Sequence, residues 1–245
     1  DASPVNALFD AAGIGLRFDA EFVTVINAGT IILLQVLVSR IVRNTPALPT
    51  MVAGMFIGTL GFICLAYASN VWVFILGIAV FSIGEMTAHP KYYSYVGLVA
   101  PAETKAVYMG YAFLYGVIGS LLGSNLGGTL YETMLKPVVR SADPSSVIRT
   151  FWLLFAGMNL LAITGLILYN RYFAADTPAT RHRARTVMLA LYALLLATGA
   201  LFLVSAFGET SVSYKTAIQS LIMMTIGGAG LFISLRHQGR PGPGG

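Results

Sequence analysis

A glutamate, a histidine, a proline, a lysine and a tyrosine fall at positions 85, 89, 90, 91 and 92, in the stretch SIGEMTAHPKYYSY (residues 82–95). The apolar run VWVFILGIAVF leads directly into it. A carboxylate such as Glu85 can hold a proton or a cationic group of a substrate. His89 lies four residues on, so on a helix it shares a face with Glu85. Histidine titrates near neutral pH, which suits a proton relay, though an interfacial histidine without mechanistic weight fits the position equally. Pro90 has no N–H, so the carbonyl of Met86 loses its helical partner and a kink is expected. Tyr92 returns to the face of Glu85 after seven residues. Lys91 reads as an anchor that snorkels to a membrane surface. Tyr92, Tyr93 and Tyr95 suit an interfacial aromatic belt.

The rest of the chain says what surrounds this stretch. Only 10% of its 245 residues are charged and 56% are hydrophobic, where soluble domains carry about 25% charged residues. The mean hydropathy is +0.76. Lipid is therefore the expected solvent. The single cysteine, Cys64, lies in an apolar run and reads as a small buried hydrophobe.

A bilayer core needs about 20 apolar residues as helix. Seven stretches qualify: 21–41, 50–68, 71–98, 106–130, 150–169, 186–206 and 217–235. None has the alternation of a barrel strand. The expected fold is an all-α integral membrane protein with seven transmembrane helices. Residues 1–19 read as an extracytoplasmic or interfacial segment, 20–172 as a bundle of five helices, 173–185 as a basic cytoplasmic linker, 186–236 as two further helices, and 237–245 as a disordered tail.

Lys and Arg in short loops set orientation. Arg40, Arg43, Lys105, Arg171, Arg181, Arg183, Arg185, Arg236 and Arg240 fall on one side if the spans alternate. Lys136, Arg140, Arg149 and Lys215 fall on the other. The balance places the C-terminus in the cytoplasm and the start of the first span outside. An outside start with no span or signal before it leads us to expect an upstream portion.

Within the third span, Glu85 lies roughly 21 Å past Val71 at about 1.5 Å per residue. A central acidic residue costs about 2.5–3.5 kcal/mol on insertion scales, and such residues usually face a cavity or a bundle interior. Asn27 and Gln35 in the first span and Asn125 in the fourth are milder candidates for substrate or proton binding. Asn159 lies in the fifth. All four equally suit the role of helix-to-helix hydrogen bonding. Gly116, Gly119, Gly123 and Gly127 form a face of small residues on the fourth span, where close helix packing is expected. No enzyme motif is present, no residue cluster points to a cofactor or metal, and the basic residues form no nucleic-acid stripe.

GEMTAHP (residues 84–90) resembles the glycine-glutamate motif, with a proline five residues after the glutamate, of proton-dependent oligopeptide transporters in the major facilitator superfamily. KAVYMGYAFL (residues 105–114) resembles that family's basic residue, Met-Gly and Phe-Leu segment opening the next helix. The likeness covers about residues 20–172. It departs at Ala112, where the family often has tryptophan, and at Ser120, where it often has asparagine. The resemblance implies that spans one to five are helices 8–12 of a twelve-helix transporter, with two extra C-terminal helices. It further implies that Glu85 helps hold a peptide's amino terminus and takes part in proton coupling. The partners it implies are membrane lipid, the N-terminal half of the same transporter, a small-molecule substrate and the proton. The expected function is secondary active transport by alternating access in a bacterial inner membrane. A drug transporter of the same superfamily and a non-transporting subunit of a larger complex are the alternatives.

Overall fold

The computed structural model describes residues 3–13, 22–137, 144–174, 177–208 and 214–236. These are helical almost throughout. A short helix α1 (Ser3–Ala11) precedes α2 (Phe22–Val42), α3 (Ala47–Ala66), α4 (Val71–Val99) and α5 (Lys105–Leu130). Then follow α6 (Pro144–Tyr172), α7 (Pro178–Gly208) and α8 (Tyr214–Arg236). A 3-10 turn (Ala102–Thr104) leads into α5, and one π-helical turn (Tyr131–Leu135) continues it. Among the described residues, seven helices are long and apolar enough to cross a bilayer, and they overlap the seven expected spans.

Several helices extend past their apolar runs. α7 starts at Pro178, so the second half of the expected linker 173–185 is helix. Its opening turns, PATRHRAR, are basic and carry no hydropathy signal, but nothing in them after Pro178 opposes helix formation. α1 makes part of the expected N-terminal segment helical. The expected tail 237–245 lies outside the described residues.

The helices divide between two compact units. The first unit contains α2, α3 and α4, with the ends of α5 and most of α6. In it, α3 and α4 pack backbone to backbone. The turn between them is short because Asn70 caps α4: its side-chain oxygen accepts from the N–H groups of Trp72 (3.0 Å) and Val73 (3.1 Å). Glycines then let the helices touch. A Cβ built on Gly54 falls 2.7 Å from the nitrogen of Ala88, and one on Gly61 falls 2.6 Å from that of Phe81. One on Gly84 falls on the nitrogen of Gly58 and 2.6 Å from the carbonyl of Gly54. In lipid such close approach is what drives helix association.

By contrast, a Cβ built on Gly116, Gly119, Gly123 or Gly127 meets no atom within 4 Å. The close packing expected at that face is not made within the described residues. It is made by Gly54, Gly58, Gly61 and Gly84 instead.

Side chains complete the first unit. Ser82, fully buried, donates to Asn27 Oδ1 at 2.5 Å and ties α4 to α2. Asn159 of α6 donates to the Met55 carbonyl (2.9 Å) and to the buried Thr59 hydroxyl (3.1 Å) of α3. Phe62, Phe81, Trp152 and Phe155 stack around this junction. Asn159→Leu is expected to lower the stability of the folded state in detergent by about 1 kcal/mol, read as an earlier thermal transition. An unchanged transition would mean that the aromatic contacts alone seat α6.

The second unit contains α7 and α8 with Gly116–Ser124, the middle of α5. Leu121, Leu195 and Met223 are buried together there, with Ile118, Phe202 and Ile226 against them. Gly199 and Gly227 bring α7 and α8 close: Cβ atoms built there fall 2.9 Å from Met224 Cγ and 2.8 Å from Leu196 N. Arg185 donates to the Ser234 carbonyl at 3.1 Å near the other end of the pair. The middle of α5 thus belongs with the two extra helices rather than with the five-helix bundle expected at 20–172.

Candidate functional site

Glu85 is the middle residue of α4, fourteen residues from either end. The helix runs unbroken through Pro90. Met86, Thr87 and Lys91 are buried, on the side of α4 that meets α2 and α3. Glu85 and His89 are exposed, on the other side. The spacing argument for one shared face therefore describes the helix correctly.

That face lines an open cleft of about 270 Å³ with Met51, Ala88, Tyr92 and Tyr115. Tyr115, from α5, supplies the cross-helix contact. Its hydroxyl lies 2.7 Å from His89 Nδ1. With His89 neutral and its proton on Nε2, Tyr115 donates to Nδ1. With His89 protonated, Nδ1–H donates to the tyrosine oxygen. The bond survives a change of protonation by reversing direction. The ring of Tyr115 packs edge-on against Tyr92 at 4.7 Å between centroids, and Tyr92 donates to the Ala112 carbonyl at 3.3 Å. Tyr93 meets His89 (5.2 Å) and Phe113 (5.1 Å). In this part of the chain α4 and α5 meet through aromatic side chains, not through backbone contact, so the cleft between them stays open.

Tyr115→Phe keeps the ring contacts and removes only the hydroxyl. It is expected to leave the thermal transition within about 1 kcal/mol of wild type and to alter the pH profile of whatever activity the cleft serves. A shifted melt with an unchanged pH profile would assign the hydroxyl a purely structural role.

The other candidates do not gather here. Asn27 is occupied with Ser82. Gln35 is half-buried two turns further along α2 and does not line the cleft. Asn125 is half-buried on α5, and its carbonyl accepts from Thr129 at 2.9 Å. Neither lines the cleft.

Lys91 is not the exposed anchor expected from its sequence position. It is 7% exposed, and its ammonium donates to the carbonyls of Thr45 (2.7 Å) and Arg43 (3.3 Å). The α2–α3 loop folds back over α4 and leaves its carbonyls facing inward. Lysine satisfies them and offsets the negative end of α2.

The fold and its surface define an all-α integral membrane protein. Ile32, Leu33 and Val36 of α2 are each more than 70% exposed, which only a hydrocarbon or protein neighbour makes favourable. No protein family, curated protein or solved structure matches the chain. Among the described residues no cluster of three His, Cys, Asp or Glu side chains could hold a metal ion.

Proposed function

We propose that this chain is the C-terminal half of a proton-coupled secondary transporter of the major facilitator superfamily, most like the oligopeptide transporters. One observation carries the reading: an exposed carboxylate at the middle of a membrane-length helix, in an open cleft. A charge facing lipid there costs about 2.5–3.5 kcal/mol. The face of Glu85 and His89 must then meet water or another protein segment. A substrate path shared with an N-terminal half supplies both. The aromatic walls of Tyr92 and Tyr115 would pack against the apolar parts of a small solute, and Glu85 would hold its cationic end or the coupling proton.

Alternating access then follows as a population shift. Protonating Glu85 removes its charge and changes which conformation is favoured. The transporter would lie in a bacterial inner membrane, and the Lys and Arg balance supports a C-terminus in the cytoplasm. The test is uptake of a labelled dipeptide into proteoliposomes holding the full-length protein, under an inward proton gradient. Competition by unlabelled di- and tripeptides supports the peptide reading. Competition by lipophilic cations alone assigns a drug transporter instead. No uptake of either, with a partner that co-purifies, replaces transport by a subunit role.

A further inference from the structure

A second crevice, apart from the Glu85 cleft, opens at the end of α2. Its walls are Ile41 and Val42 of α2, Ala53 and Ile57 of α3, and Ile83 of α4. Its volume of about 530 Å³ falls in the range of ligand sites, about 300–1,000 Å³. The hydroxyls in its lining are turned to the backbone: Thr50 donates to the Pro46 carbonyl (2.6 Å) and Thr87 to that of Ile83 (2.8 Å). The third, Thr45, donates to the Val42 carbonyl (2.8 Å), and the rest of the lining is apolar, so hydrocarbon suits it best. From Pro49 to Ile57 the α3 wall runs about 12 Å into the membrane at about 1.5 Å per residue.

The residues flanking Ile41 and Val42, which line the crevice, carry charge of one sign. Arg40 and Arg43 are exposed on the last turn of α2 and just beyond it. The Lys91 ammonium is buried against the carbonyl of Thr45, which itself lines the crevice. No carboxylate pairs with any of the three among the described residues. None occurs in the sequence between Phe22 and Gly84. Positive charge in a short loop is ordinary, but that rule does not account for the apolar crevice beside it.

We propose that this crevice holds an acyl chain of one anionic phospholipid, with its phosphate against Arg40 and Arg43. The lipid supplies negative charge beside the two arginines and fills the apolar volume. Basic pockets between transmembrane helices on the cytoplasmic side recognise anionic head groups in this way.

The protein is reconstituted in nanodiscs of equal phosphatidylglycerol and phosphatidylcholine, stripped with mild detergent, and weighed by native mass spectrometry. One phosphatidylglycerol per chain should be retained, favoured over phosphatidylcholine by roughly 30-fold for two arginines. The double variant Arg40→Gln/Arg43→Gln, both at exposed positions, should bring that ratio close to one. Ala53→Phe, which fills the crevice from an exposed wall position, should reduce retention of both lipids. Equal retention of the two lipids by the unmodified protein overturns the proposal. So does a phosphatidylglycerol preference that survives both variants.

Discussion

Glu85→Gln is expected to abolish proton-driven accumulation of substrate while leaving the protein inserted and able to exchange substrate across the membrane. Glutamine keeps the shape and hydrogen-bonding reach of the protonated acid but cannot release a proton. Placing an acidic residue at mid-membrane costs about 2.5–3.5 kcal/mol on insertion scales, which sets an upper scale of roughly 100-fold for the bias that protonating Glu85 can place on the conformational equilibrium. Without it, loaded and empty carriers interconvert alike whatever the gradient. Counterflow should therefore persist near wild-type rates, and gradient-driven accumulation should fall by at least about tenfold. Glu85 is exposed in this chain and glutamine matches it in size, so the substitution carries little packing cost to confuse the result. Full accumulation by the variant would remove Glu85 from the coupling path.

Gly84→Val should have the largest effect on folding. Gly84 sits against the backbones of Gly54 and Gly58, so an isopropyl group cannot be placed without separating α3 from α4. Overpacking a core typically costs about 1–3 kcal/mol, and here the obstacle is backbone, which cannot rotate away. A loss of at least about 3 kcal/mol is expected, seen as collapse of the monodisperse yield after detergent extraction. Gly119→Val is the matched control: the same change on another membrane-length helix, into open space. Equal yields from the two variants would mean that the α3–α4 contact does not hold the bundle together.

These two glycines mark a boundary of what sequence could tell. Hydropathy located all seven spans, because burial in lipid imposes a length and a composition that little else imposes. Helix ends were less legible. The basic turns at 178–185 are helical yet look like a linker, since hydropathy responds to solvent and not to backbone conformation. The every-fourth-residue glycines of α5 drew attention by their regularity, but regularity says nothing about what stands opposite. Gly84 faces backbone, and its place in GEMTAHP drew attention to its neighbour instead.

The site was legible along α4 and not across to α5. Helical spacing grouped Glu85, His89 and Tyr92 correctly, because one helix fixes which residues share a face. Tyr115 was missed, one residue beyond the stretch KAVYMGYAFL, because no spacing rule links residues on different helices. An aromatic at the same level of the next helix was the only available signal. Lys91 failed for a related reason. Its depth depends on how the 43–46 loop folds over it, and only tertiary structure determines that.

Coupling between substrate and proton is the centre of this account, and substrate-induced proton movement measures it most directly. Full-length protein is reconstituted in lightly buffered proteoliposomes with no imposed gradient, and external pH is followed as a dipeptide is added. The account predicts alkalinisation of the medium that depends on the dipeptide, is removed by a protonophore and is lost in Glu85→Gln. Dipeptide entering the vesicles with no change in external pH would contradict it.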